Sequence, residues 1–232
     1  MCELCVIVLR TSDLSLSLSL SPPAVLFVPL VGIVGSATLS QKLDIMDKDT
    51  IEQVHSLISN ILEDIPATHA AWINSKSFTL DKSSDDLKFL KDSMIPTTPE
   101  LESFSDHFSL EICLARIVEG LKLHLNLLKV ISKAPTLTQT DEVQELQAGI
   151  LDLLHLIVEL QSQVGYEQPM QTPDNQLKTL EHCLAEPLKD AYNAVVAAQL
   201  TLQQLQVFSC EVLRSILSIR SRTSSMPVSA EH

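Results

Sequence analysis

The sequence predicts an all-α protein built on four long helices. Leucine and glutamine are frequent, only 5 of the 232 residues are glycine, and alternating β-branched patterns are scarce. Four stretches carry apolar residues at the three- and four-residue steps of an amphipathic helix. Apolar residues make up 45% of the chain, which is enough for one or two domains with a sizeable core.

The charge balance limits the classes of partner. Lysine and arginine number 16 and aspartate and glutamate 29, which gives a net charge of −13. A surface this acidic repels nucleic acids and anionic membranes. We therefore expect no nucleic-acid partner and no membrane insertion of the mature chain.

An uncharged apolar run, "AVLFVPLVGIVG" at 24–35, lies near the amino terminus. It is short for a membrane span and is followed by small residues of the kind that a signal peptidase recognises. We expect cleavage after Ala37 and secretion to the extracellular space. The predicted organisation is an extension with a removed secretory signal at 1–37, a helical domain at 38–222 and a flexible tail at 223–232.

The first long helix is predicted at 48–65. Thr50, followed three residues later by Gln53, resembles a capping box, and Pro66 is expected to end the helix. Its apolar stripe comprises Ile51, Val54, Leu57, Ile58, Ile61, Leu62 and Ile65.

The second long helix is predicted at 108–133 and is apolar around most of its circumference. Such a helix is nearly all buried. Charged residues interrupt this helix too often for a membrane span, namely Glu111, Arg116, Glu119 and Lys122. We therefore expect the helix to form one wall of a core. Gly120 lowers helix propensity by about 1 kcal/mol relative to alanine. We expect it to let a neighbouring helix approach closely.

The third long helix is predicted at 140–164, with Gly165 as its stop, and the fourth at 188–220. Between them, a short helix is predicted at 174–185, and Pro187 is expected to end or kink it.

The lengths of the connections predict the topology. The second and third helices are joined by a short segment, which is typical of antiparallel neighbours. The first connection has roughly 40 residues, enough to return along the ~27 Å of an 18-residue helix. The third connection is also long. These lengths predict an up-up-down-down four-helix bundle with two long crossover loops, because an up-down-up-down bundle needs no such loops.

Enzyme motifs are nearly absent. The sequence has no G-x-S-x-G, no phosphate-binding glycine loop and no H-E-x-x-H, and the histidines are isolated from one another. Lone helical histidines such as His55, His124 and His155 are expected at the surface or an edge. We expect no catalytic site, metal, cofactor or small-molecule substrate.

Three cysteines remain after the expected signal: Cys113, Cys183 and Cys210. An odd number in a secreted chain leaves at least one thiol without a partner in the same chain. Cys2 and Cys5 fall within the segment that we expect to be removed.

The segment "CLARIVEGLKLHLNLL" at 113–128 resembles the signature of the interleukin-6 and granulocyte colony-stimulating factor family of long-chain helical cytokines. Cys113, Gly120, Leu121 and Leu128 stand at the family's spacing. His124 replaces an aromatic residue. Ser103 replaces a cysteine, so the family's usual disulfide cannot form and a bridge from Cys113 would need Cys183 or Cys210.

Further segments are similar to the granulocyte colony-stimulating factor branch of this family and occur in the family's order. They are "IEQV" at 51–54, "DDLKFLKDSMIP" at 85–96 and "LQQLQVFSCEVLR" at 202–214. The resemblance implies a secreted ligand that binds and dimerises a class I cytokine receptor and drives growth of the granulocyte lineage.

The resemblance also implies the receptor-binding residues. Glu52, Gln53 and Asp152 match residues of the family's major receptor site. Asp86 stands where the family has the glutamate of a second site, and Gly149 stands where it has another contact aspartate.

Two other functions remain open at this point. One is an interleukin-6-type cytokine that acts through a shared signalling receptor. The other is a secreted lipid-binding helical protein, although such helices usually carry lysine and arginine at the lipid interface.

Overall fold

The computed structural model describes residues 38–73, 78–80, 95–102, 108–137, 139–166 and 174–224. Several predicted features lie outside the described residues: the signal segment at 1–37, Asp86, the tail beyond 224 and most of the segment at 85–96.

Every regular element within these ranges is a helix, which confirms the all-α prediction. The helices are α1 (Leu39–Ile45), α2 (Lys48–Trp72), α3 (Leu110–Ile131), α4 (Asp141–Gln163), α5 (Asp174–Leu184) and α6 (Ala191–Ser224). A 3-10 turn at Pro187–Lys189 connects α5 to α6. The helices surround one continuous apolar cluster and are compatible with a helical bundle.

Helix α1 was not predicted, whereas the predicted start of α2 at residue 48 is confirmed. Thr38 and Gln41 form a capping box that begins α1. Helix α2 is capped by Asp47, whose carboxylate accepts hydrogen bonds from the backbone N–H and the hydroxyl of Thr50 at 2.8 and 2.7 Å. Those bonds lower the pKa of Asp47. The prediction of Thr50 as the capping residue is therefore wrong, and Thr50 is instead buried in the first turn.

The prediction that Pro66 ends the helix is also wrong. Helix α2 continues through Pro66 to Trp72. Proline removes one backbone hydrogen bond, but Pro66 itself is exposed while Ile65 and Thr68 on either side are fully buried. Burial of the flanking residues thus outweighs the local preference of the sequence.

Gly165 ends α4 as predicted. Its φ of +72° lies in the left-handed region that favours glycine. The N–H of Gly165 donates to the carbonyl of Ser162, and the N–H of Tyr166 donates to the carbonyl of Gln161. This pair of bonds is a Schellman motif, which satisfies carbonyls that the helix leaves unpaired.

Helix α2 packs along α4 and α6. The backbone N–H of Asp47 donates to the Gln163 side chain at 2.9 Å, and the Thr68 hydroxyl donates to the Glu142 carbonyl at 3.2 Å. The beginning of α2 therefore lies beside the end of α4, and the end of α2 beside the beginning of α4.

The beginning of α2 likewise lies beside the end of α6, and the end of α2 lies beside the beginning of α6. The Glu52 carboxylate pairs with the Arg220 guanidinium at 2.7 Å near the end of α6. Near its beginning, Gln199 accepts a hydrogen bond from the His69 ring at 2.6 Å.

Helix α3 is the most deeply buried of the long helices: fourteen of its 22 residues are buried. The prediction of a core wall is confirmed. No helix among the described residues is long and apolar enough to cross a membrane.

At Gly120, α3 lies in close contact with Phe208 of α6. A Cβ atom at Gly120 would stand 2.3 Å from Cζ of Phe208, so the Phe208 ring occupies the space that any other residue would fill. The expected role of Gly120 is confirmed. His124, one turn later, is stacked on the same ring and fully buried, so its expected surface position is wrong.

Side-chain amides of α6 hold the described parts of the first connection. The Gln199 and Gln203 amides donate to the Thr79 carbonyl at 3.0 and 3.2 Å, and the Gln204 amide donates to the Pro96 carbonyl at 3.0 Å. The Arg116 guanidinium of α3 donates to the Glu100 carbonyl at 3.0 Å.

We expect Gly120→Ala to lower the free energy of unfolding by about 1–3 kcal/mol, because the added methyl group overpacks the contact with Phe208. Gly149→Ala is the matched control. Its Cβ would make an ordinary 3.5 Å contact with Ile61, so the better helix propensity of alanine should stabilise the protein by up to about 1 kcal/mol. Chemical denaturation of both variants checks the pair. An unchanged or raised stability of Gly120→Ala would contradict the close approach.

Pro66→Ala is expected to raise the free energy of unfolding by about 1–3 kcal/mol, because it restores a donor and removes a ring clash inside α2. Pro66→Gly restores the same donor with about 1 kcal/mol less helix propensity, so it should gain less. Thermal and chemical denaturation check both variants. If both are no more stable than wild type, Pro66 does not destabilise α2.

Candidate interaction surface

Helices α2 and α4 together present an acidic face. Between them the two helices carry nine acidic residues and a single lysine, Lys48. Eight of the nine are exposed and Asp64 is half-buried. We define this acidic face as Asp49, Glu52, Glu63, Asp64, Asp141, Glu142, Glu145, Asp152 and Glu159.

The other two long helices have the opposite balance. Helices α3 and α6 together carry three acidic and six basic residues. Among the four long helices, net negative charge is therefore confined to α2 and α4, while α3 and α6 are mildly basic. A field of this kind favours a partner with basic side chains.

Asp64 shows how crowded the acidic face is. Partial burial and repulsion from the neighbouring Glu63 carboxylate raise the pKa of Asp64. No Lys or Arg ion pair is recorded for either residue among the described part of the chain. Negative charge on this face thus carries an electrostatic cost that a basic partner would relieve.

Gln53 and Asp152, two of the residues implied by the resemblance, lie on the paired helices α2 and α4. Both side chains are exposed. The contacts between these helices place Asp152 level with residue 58, five positions along α2 from Gln53. That offset corresponds to about 7.5 Å of helix rise. One partner surface could contact both residues.

Glu52 points toward α6 rather than α4. Its side chain is 51% exposed and pairs with Arg220, which is 42% exposed. An exposed ion pair of this kind contributes at most about 1 kcal/mol, so the Glu52 carboxylate remains available to a stronger partner. Arg220 could not be predicted as a neighbour of Glu52, because the two residues lie far apart along the sequence.

Gly149 and Asp86 complete the implied set. Gly149 faces Ile61 of α2, so it contributes backbone and shape but no charge to the surface. Asp86 lies outside the described residues.

Cys113 and Cys210 are free thiols, so Cys113 forms no disulfide with Cys183 or Cys210. Burial raises the pKa of Cys113 to about 11, although a hydrogen bond with Ser215 opposes the shift. A thiol with so high a pKa is protonated at neutral pH and unreactive. No cluster of three or more histidine, cysteine or acidic residues in the described ranges is placed to hold a metal ion.

Comparison with known proteins identifies no relative. No protein-family model matches the chain, and no curated protein sequence matches it. The likeness to helical cytokines consequently rests on the segments quoted above.

Asp64→Asn is expected to raise the free energy of unfolding at pH 7 by about 0.5 kcal/mol or less, as is usual for a surface substitution. The folded chain holds the Asp64 proton to a higher pH than the unfolded chain, whose pKa is near 3.8, so wild-type stability falls as pH rises through this window. The gain from asparagine should therefore vanish below pH 3.8. Denaturation curves at both pH values in low salt check the difference.

If Asp64→Asn is stabilised equally at pH 7 and below pH 3.8, its gain does not come from removing the Asp64 charge. Glu159→Gln is the matched control on α4, because its carboxylate is exposed.

Proposed function

We propose that the chain is a secreted haematopoietic cytokine that binds and dimerises a class I cytokine receptor to drive proliferation and differentiation of the granulocyte lineage. The observation that carries the proposal is the acidic face of α2 and α4, which includes Glu52 and Asp152 and adjoins Gln53. The resemblance implies receptor contacts at these same residues. The proposed protein is a binding ligand and not an enzyme.

An up-up-down-down bundle is part of the proposal. The beginning of α2 contacts the ends of α4 and α6. Cys113, at the beginning of α3, contacts Ser215 in the later part of α6. These contacts support α2 and α3 running in one direction and α4 and α6 in the other. Helix α2 packs mainly on α4 and α6, whereas an up-down-up-down bundle would make α2 and α3 neighbours.

Two long crossovers are also part of the proposal. The described pieces of the first connection, 78–80 and 95–102, are hydrogen-bonded to α6 and α3. A connection that touches α6 before it reaches α3 supports a crossover along the bundle and does not suit a direct turn between adjacent helices.

The acidic face suggests how a receptor would be recognised. Lysine and arginine side chains of the receptor would be steered to it over a distance of about 8–10 Å at physiological ionic strength. A carboxylate that becomes fully desolvated beside a receptor arginine can be a hot spot, whereas carboxylates at the rim mainly affect the association rate.

Two alternatives make different predictions. An interleukin-6-type cytokine would bind the shared signalling receptor of that family. A secreted lipid-binding protein would need apolar and basic helix faces, and the exposed faces of α2 and α4 carry one lysine and no arginine.

Binding of the 38–232 fragment to receptor ectodomains tests the proposal. The expected result is saturable binding to the granulocyte colony-stimulating factor receptor ectodomain, with an association rate that falls as salt rises. Binding to the shared interleukin-6-family receptor alone would favour the first alternative. Binding to anionic or neutral liposomes with no receptor binding would overturn the cytokine proposal.

Glu52→Arg is expected to weaken receptor binding by about 2 kcal/mol or more, roughly 30-fold in Kd, while the helix content by circular dichroism stays unchanged. Arg220→Gln is the matched control, because it breaks the same ion pair but keeps the carboxylate. It should bind within about threefold of wild type, the limit set by the weak surface ion pair. Equal losses in both variants would show that Glu52 acts through Arg220 and not on the receptor.

A further inference from the structure

His124 lies in the middle of the core. Its side chain is fully buried, and its ring is stacked on Phe208 of α6 with the ring centroids 5.3 Å apart and the planes inclined by 26°. Histidine is uncommon in such a position because its charged form is costly to bury.

The hydrogen bonds of His124 define its tautomer. Nδ1 lies 2.8 Å from the Gly120 carbonyl oxygen, which can only accept, so Nδ1 carries the proton. Nε2 is therefore an acceptor, and it is buried without a hydrogen-bond partner among the described residues. The ring fits this site only while it is neutral, because a proton on Nε2 would create a donor with nothing to receive it.

No charged group in the described core compensates a proton on His124. Buried residues of α2, α4 and α6 around the core are apolar or uncharged polar, with Thr68, Gln161 and Thr201 as examples. Helix α5, which also packs on α3, buries only Leu180 and Leu184 among its described side chains, and its Glu181 pairs with Lys133. Cys113 is the one other titratable side chain among the buried residues, and it is eleven positions, or about 16 Å of helix rise, from His124. Burial lowers the pKa of His124 from 6.5 to about 4, and the Gly120 hydrogen bond opposes this shift only in part.

His124 contacts Gly120 and Phe208, the two residues that meet where α3 packs against α6. Gly120 supplies both the carbonyl that holds the ring and the space into which Phe208 fits. A change at His124 therefore acts on the packing of α3 against α6, not on an isolated side chain.

We propose that His124, Gly120 and Phe208 form an acid-sensitive joint between α3 and α6. At neutral pH the unprotonated ring packs on Phe208 and holds the two helices together. In acid, a protonated His124 cannot stay in the joint, so the α3 and α6 contact opens and the core loses stability. This inference does not depend on the identity of any receptor.

The sign of the pH dependence follows from linkage. The unfolded chain binds a proton at His124 near pH 6.5, and the folded chain does so only near pH 4. Stability from the neutral ring is complete above pH 6.5 and is lost as pH falls through this interval. The equilibrium constant for unfolding should rise by up to about tenfold for each pH unit between these values.

Urea denaturation of the full chain between pH 7.5 and 4 tests the proposal. Fluorescence of Trp72, the single tryptophan and a buried one, reports unfolding. His124→Phe keeps an aromatic ring on Phe208 but cannot be protonated, so its unfolding constant should lack the rise between pH 6.5 and 5. His155→Gln is the matched control at an exposed histidine of α4 and should follow wild type.

A His124→Phe variant that keeps the wild-type rise would overturn the proposal. Nitrogen-15 NMR of the wild-type histidines gives a second readout that needs no core variant. The expected spectrum shows His124 as the Nδ1–H tautomer, with no titration above pH 5 while the protein remains folded. A His124 ring that titrates near pH 6.5 in the folded protein would equally overturn it.

Discussion

The close approach of α3 and α6 at Gly120 is the constraint on which the described structure depends. Because Gly120 has no Cβ, the Phe208 ring can lie directly against the α3 backbone. Helix α3 is thereby buried around most of its circumference, which a helix with so many leucines requires. Helix α4 packs against α3, α2 packs on α4 and α6, and both α2 and α4 carry their acidic residues on exposed faces.

Periodicity was sufficient to predict the four long helices, but not α1 or the chemistry at single positions. The stripes of α3 and α4 and the stop at Gly165 were read correctly, because repeated apolar spacing and a left-handed glycine are local signals. Pro66 was misread because burial of the residues around it, a tertiary effect, carries α2 past the proline. Thr50 was misread because Asp47, three positions earlier, caps the helix and accepts hydrogen bonds from Thr50. His124 was misread because a lone histidine carries no sign of the Phe208 ring, which stands far along the chain.

For the candidate site, too, some features could be predicted from the sequence and others could not. Its residues came from the resemblance to helical cytokines, since nothing in their spacing distinguishes Glu52 or Asp152 from any solvated helix residue. The concentration of charge on α2 and α4 could have been anticipated from composition once the helix boundaries were known. The side of α2 to which Glu52 points could not, because it depends on how α6 packs and on the position of Arg220.

The amide hydrogen bonds from Gln199, Gln203 and Gln204 to the first connection have a separate consequence. Amides do not titrate, and neutral hydrogen bonds respond far less to dissolved salt than interactions between exposed charges do. The contacts of α6 with this connection are thus made largely by uncharged amides, while the acidic face of α2 and α4 is made of carboxylates. A change in ionic strength would therefore alter the field of the acidic face and leave these amide hydrogen bonds in place.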